Sequence, residues 1–275
     1  MVAAVTQVEL LHGATSDVGL LRENNEDAYL VAPPVFAVAD GMGGHENGDV
    51  ASRIVVEEFA RLAEEGYEPT RGTEAVAATL EACQRRITEY AGADGTGARR
   101  TPGTTVVAAL LVEDHDAPAW LLVNLGDSRI YAVSGGRLRQ VSVDHSVVQE
   151  LVDSGEITPA QAGHHPERHV ITRALGGPRL EPADSWVVPV SEIDRLLLCT
   201  DGISGLVGDD RIEAILTGTS DPRDAADGLV AAALEAGGDD NATAVVVDVV
   251  GLVPDQTYDS EQQRASLEQK LGALP

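Results

Sequence analysis

Four aspartates stand where apolar, strand-like runs meet glycine: Asp40 before Gly41, Asp127 after Gly126, Asp201 before Gly202, and Asp240 two residues after Gly238. Aspartate and glycine are ordinary turn residues, and Asp40 could equally cap the helical pattern that follows it. Carboxylates at strand ends can also converge on one site, because strand ends in a layered sheet lie together. All-oxygen ligation suits Mg²⁺ or Mn²⁺ better than zinc or copper. Carboxylates packed together repel unless cations neutralise them, which argues for two or more ions. Upstream, Arg22 and the acids Glu26 and Asp27 share one polar turn. A planar guanidinium suits a phosphate, and the acids suit a metal or its waters. No GxSxG, Walker or complete GxGxxG motif occurs, and no HExxH or other zinc spacing. Metal-activated water is the nucleophile that these residues favour.

The elements that must position these groups follow from periodicity. Residues 35–39 have the length and β-branching of a buried strand that ends on Asp40. Gly41, Gly43 and Gly44 then free the backbone to turn and to approach a bound group. Val50, Ala51, Ile54, Val55, Phe59 and Leu62 repeat at helical spacing, giving a helix over 47–65. A second helix over 73–91 places Cys83 in its apolar stripe. Strands are expected at 8–15, 28–31, 106–113, 120–125, 130–133, 137–143, 185–190, 195–200 and 243–250, with helices at 209–216 and 222–235. The stretch 103–143 reads as an antiparallel meander with Asp127 at a turn. Between 144 and 177 the pattern changes to a short amphipathic helix and a polar run through His164-His165-Pro166. Such an excursion from a sheet is of the kind that covers or shapes a site. One domain is expected over 1–252, followed by a polar tail over 253–275.

The formal net charge is −26, from 45 acidic and 19 basic residues. Nucleic acid and anionic membrane are excluded as partners, because binding to either depends on Lys and Arg meeting phosphates. Most of the acidity reads as a solvated surface. No run reaches the roughly 18 apolar residues of a membrane helix, and no secretory signal opens the chain. Two cysteines are too few for a disulfide framework. A cytoplasmic protein is the expectation.

The motifs Arg22…Asn25-Glu26-Asp27, Asp40-Gly41-Met42-Gly43-Gly44-His45, Gly103-Thr104-Thr105, Gly126-Asp127-Ser128-Arg129, Thr200-Asp201-Gly202 and Gly238-Asp239-Asp240-Asn241-Ala242-Thr243 occur in one order over about residues 8–250. That set resembles the bacterial metal-dependent serine/threonine protein phosphatases of type 2C. The resemblance implies an α+β fold, a four-layer α/β/β/α sandwich of two packed antiparallel sheets with the metals at one end. It implies two tightly bound Mn²⁺ or Mg²⁺ ions and a third, weaker one. Asp40 would bridge the pair, with the Gly41 carbonyl on one ion and Asp201 and Asp240 on the other. Glu26 would act through metal-bound water, Asp127 would help hold the third ion, and Arg22 would bind the phosphate. His45 is the expected leaving-group acid, and residues 144–177 correspond to the variable flap. The implied reaction is in-line attack by a metal-bridging hydroxide on phosphoserine or phosphothreonine. The implied partners are phosphoproteins, among them Ser/Thr kinases, and the expected state is a monomer. Two competing readings are an inactive phosphoprotein-binding relative and a stress-response phosphatase acting on a sigma-factor regulator. The intact carboxylate set speaks against the first, and the absence of a sensor domain against the second.

Overall fold

Several strands here are apolar on both faces, so each must be covered twice, and the computed structural model shows how. It describes residues 8–43, 47–93 and 102–252. One antiparallel sheet has the order β1 (Val8–Asp17), β11 (Ala242–Leu252), β10 (Arg195–Cys199), β7 (Arg129–Ser134), β8 (Arg137–Gln140). The other runs β2 (Asp27–Ala32), β3 (Val35–Met42), β5 (Val106–Asp114), β6 (Ala117–Leu125), β9 (Asp184–Pro189), and the two-residue β4 (Gly103–Thr104) pairs with β3. The sheets pack face to face.

Strand β3 illustrates the layering. Phe36 and Val38 point into the core between the sheets, against Ile130, Leu196, Leu198 and Val245. Val35, Ala37 and Ala39 point the other way, against α1 (Gly48–Glu65) and α2 (Gly72–Ala93). Period-two alternation sends the two sets to opposite faces. On the far side, Leu197, Cys199, Ala244 and Val246 pack against α6 (Asp209–Gly218) and α7 (Pro222–Glu235). Three apolar cores therefore separate four layers in the order α/β/β/α, as expected. Cys83 is fully buried in the α2 stripe.

Three local expectations are corrected. β3 does not end on Asp40: it continues through Gly41 and Met42, which pair with Thr104 and Gly103. Residues 103–143 are not one meander, because β5 and β6 lie in one sheet and β7 and β8 in the other. The chain crosses at Gly126, whose φ of +123° suits glycine and where a Cβ would lie 2.5 Å from the Thr105 methyl. β8 stops at Gln140, since both Val141 N and Ser142 N turn to the single acceptor Ile130 O.

Candidate functional site

The expected acidic residues gather where the two sheets meet at one end of the sandwich. Asp27 and Asp40 are directly opposite partners across β2 and β3. Asp127 sits in the β6–β7 crossing and is 7% exposed. Asp201 opens the short helix α5 (Asp201–Ser204), not a strand end as expected. Asp240 stands in the turn before β11. Sequence positions more than 200 residues apart thus meet through the pairing of β11 with both β1 and β10.

Hydrogen bonds fix the backbone beneath these carboxylates. Asp40 N–H donates to Thr105 Oγ1 at 3.0 Å, and Thr104 Oγ1 and Thr105 N donate to Asp40 O at 2.9 Å each. Gly41 N–H donates to Glu26 O at 3.1 Å. A Cβ on Gly41 would lie 2.2 Å from Gly48 O, so only glycine lets this strand approach the start of α1. The Glu26 carboxylate lies over Gly48, the first residue of that helix. The helix-cap reading of Asp40 fails here, for Asn47 occupies the N-cap and makes no side-chain cap bond.

The electrostatics identify the carboxylates as one group. Burial raises the Asp40 pKa well above the carboxylate range, and the charges of Asp27, Asp201, Asp127 and Asp240 raise it further. Burial likewise pushes Asp127 up to about 8, with Asp201 and Asp144 adding to it. Asp240 is raised by its own burial and by Asp201. Arg22 Nη2 donates to Asp240 Oδ2 at 2.7 Å. Burial alone would weaken the Arg22 charge, but Asp240, Asp40 and Glu26 outweigh it and hold the guanidinium protonated.

Asp27, an acid of the polar turn that suits a metal or its waters, also ties the site together. Its Oδ2 accepts from Thr200 Oγ1 at 2.9 Å and Thr243 Oγ1 at 2.7 Å, both from the opposite sheet. Its Oδ1 is buried and finds no hydrogen-bond partner among the described residues. Burial pushes the Asp27 pKa to about 7, the two threonine hydroxyls pulling back and Asp201 and Asp240 pushing on. Asn241 was passed over. Its Oδ1 accepts from Glu26 N at 2.8 Å, and its Nδ2 donates to Val18 O and Asn24 O at 2.8 and 2.9 Å. That side chain fixes the turn carrying Arg22 and Glu26. The signal available in sequence was only that Asn241 lies within a quoted motif.

Fit to divalent cations can be judged from the donor set itself. Among the described residues no three His, Cys, Asp or Glu side chains are preassembled around a single point that could hold an ion. The oxygens present are carboxylates from two sheets plus backbone, and among the described residues the buried Oδ1 of Asp27 lacks a hydrogen-bond partner. Hard cations that retain several waters suit such a set, because water completes their coordination shells. The residues fit the group. His45, expected as proton donor, lies outside the described residues, as do Gly44 and the tail over 253–275.

Residues 144–177, the stretch expected to act as a flap, carry the expected short helix as α3 (Val147–Asp153), followed by α4 (Pro159–Ala162). Arg129 makes a two-pronged ion pair with Asp144, at 2.9 Å from Nε and 2.7 Å from Nη2. His169, in the turn that ends the polar run, has Nδ1 at 3.8 Å from Asp201 Oδ2.

Comparison with known proteins places this geometry in context. Residues 22–236 match the family Protein phosphatase 2C. The chain is 40% identical over 253 residues to the serine/threonine protein phosphatase PstP of Mycobacterium tuberculosis, covering 90% of this chain and 46% of that protein. It therefore spans about half the length of that relative. It is 35% identical to the serine/threonine phosphatase stp of Listeria monocytogenes, over 85% of this chain and 93% of that one. Among solved structures, the catalytic domain of PstP in complex with two manganese ions superposes with a TM-score of 0.76 at 36% identity, covering 89% of this chain and 99% of that chain.

Proposed function

The chain belongs to the protein phosphatase 2C family, and from that premise we propose that it hydrolyses phosphoserine and phosphothreonine in proteins with the help of divalent metal ions. One observation carries the reading. Asp27, Asp40, Asp127 and Asp240, whose pKa values burial and neighbouring carboxylates raise, gather with Asp201 from both sheets, and among the described residues the buried Oδ1 of Asp27 has no hydrogen-bond partner. A cluster so destabilised without cations is arranged for them.

Two Mn²⁺ or Mg²⁺ ions are assigned to Asp40, the Gly41 carbonyl, Asp201 and Asp240, with Asp127 helping a third, weaker one and Glu26 acting through ordered water. Bound there, the ions supply acidification of water and neutralisation of phosphoryl charge. Arg22 binds the phosphoryl oxygens. Its guanidinium is about half exposed and rests on Asp240, so it becomes free for a phosphate when Asp240 is engaged elsewhere. The fork geometry matches two phosphoryl oxygens and holds phosphorus in one orientation for in-line attack. Asp27, held by Thr200 and Thr243, pairs directly with Asp40 across β2 and β3 and so keeps it in place. The substrates are phosphoproteins, and Ser/Thr kinases carrying activating phosphates belong to that class.

Release of phosphate from a phosphothreonine peptide tests this. Turnover is expected with Mn²⁺ and none with EDTA. Asp240→Asn and Arg22→Ala should each lower kcat/KM by about 100-fold or more while the far-UV circular dichroism stays unchanged. Metal-independent turnover, or either variant at wild-type rate, contradicts the assignment.

A further inference from the structure

His145 answers both backbone groups of Gly126, the residue before Asp127. Its own amide donates to Gly126 O at 2.9 Å. Its ring Nδ1 accepts from Gly126 N at 3.1 Å. A ring nitrogen that accepts carries no proton, so in the neutral imidazole the hydrogen sits on Nε2, an assignment that follows from the hydrogen-bond network. Nε2 faces Asp184 Oδ2 at 3.2 Å. Arg173 Nη1 donates to Asp184 Oδ1 at 3.2 Å and stands 3.3 Å from the same ring nitrogen.

These contacts join four separate pieces of chain. Gly126 belongs to the turn that presents Asp127. His145 is at the departing root of the flap, and Arg173 is on its return. The His145 carbonyl accepts from Thr172 N at 2.8 Å, and Ser146 bridges to Ile171 beside it. Asp184 is the first residue of β9. The ring itself is 5% exposed, so its hydrogen bonds form away from competing water. The turn is otherwise held by Asn124 Nδ2 on Gly126 O at 3.3 Å and on Val143 O at 2.9 Å, by Ser128 Oγ with Thr105 Oγ1 at 2.7 Å, and by the Arg129–Asp144 ion pair, which also ties it to residue 144 but does not touch the Gly126 amide.

We propose that His145 is a positioning residue that sets the Asp127 turn and the root of the flap in one fixed relation, with Asp184 and Arg173 holding its far edge. The consequence for the reaction rests on the phosphatase reading given above. The flap cannot shift at its root without tilting the ring, and a tilted ring releases the Gly126 amide that orients Asp127. Flap placement and the Asp127 carboxylate thereby move together.

Two substitutions separate the two edges of the ring. In His145→Asn the amide oxygen falls near the Nδ1 position and retains the Gly126 contact, while the arm to Asp184 is lost. In His145→Gln the longer side chain reaches Asp184, and the Gly126 acceptor is lost. Both are made in the full chain and compared with wild type by hydrogen exchange of residues 147–171 in metal-free protein. They are also compared by kcat and KM for a phosphothreonine peptide at saturating Mn²⁺, and by thermal melting. The Asn variant is expected to exchange faster in the flap and raise KM several-fold with kcat near wild type. The Gln variant is expected to lower kcat by about tenfold or more, the usual cost of losing a residue that orients a ligand. Equal losses in both variants, or a lowered melting temperature with flap exchange, kcat and KM all unchanged, overturn the proposal. Should either variant fail to fold, Asp184→Asn weakens the same distal edge at nearly constant shape, and must reproduce the faster flap exchange. A wild-type chain inactive on every phosphopeptide would count against the phosphatase reading, while the exchange data would still decide the linkage of flap and turn.

Discussion

Asp27 and Asp40 face each other across two strands, a placement that antiparallel sheets avoid because directly opposed like charges repel. Its persistence here has a consequence in pH. Asp27 and Asp127 are pushed to about 7 and about 8 in the folded chain, against about 3.9 for an unfolded aspartate. The native state then binds more protons than the unfolded one between these values, so stability is greatest near the unfolded pKa and falls as pH rises through the folded ones. In EDTA the melting temperature should therefore drop from pH 5.5 to pH 8, and millimolar Mn²⁺ should recover most of the loss. A metal-free protein that melts at the same or higher temperature at pH 8 contradicts the shared carboxylate site. At this scale the sequence was partly legible. Asp40, Asp201 and Asp240 were picked out by their glycine neighbours. Asp27 lacks that signal, and its importance lies in two threonines from another sheet, which no local pattern reveals.

At the scale of elements, patterning was a good guide wherever one face governs. α7 begins at Pro222 and ends at Glu235 as its apolar stripe and Asp221 cap dictate. Strand ends were harder. Asp40 proved internal to β3 because β4, only two residues long, extends the pairing, and the β6–β7 crossing has a turn signature that an ordinary hairpin shares. Tertiary contacts also set one buried staple. Arg195 in β10 pairs with Asp248 of β11 through Nη2 at 2.7 Å and donates to the carbonyls of Thr219 and Ser220 at 2.6 and 3.0 Å. Its side chain is 8% exposed. Arg195→Met strands a buried carboxylate and those carbonyls and should cost about 3–5 kcal/mol in urea unfolding. A loss below about 1 kcal/mol, the range of an exposed pair, would show that the contact is not a structural tie.

For the whole molecule, the four layers explain why one end can carry so much negative charge. Three dry cores supply the stability, so the strand ends are left to hold groups that destabilise the fold when no cation is present. The layered architecture was legible only through the resemblance that the order of motifs carries, and the structure supplies the physical reason, strands apolar on both faces that need two covers. Convergence of residues 27, 40, 127, 201 and 240 was not legible from periodicity alone, because it depends on β1 and β10 both pairing with β11. The formal charge of −26 adds a general repulsion that cations relieve but does not specify a site. Calorimetric titration of the metal-free protein with Mn²⁺ therefore tests the central claim most directly. Two ions should bind tightly to the wild-type chain, and Asp40→Asn should lose at least one of them. Binding of no ion, or a titration unchanged by Asp40→Asn, would contradict a metal centre built on these carboxylates.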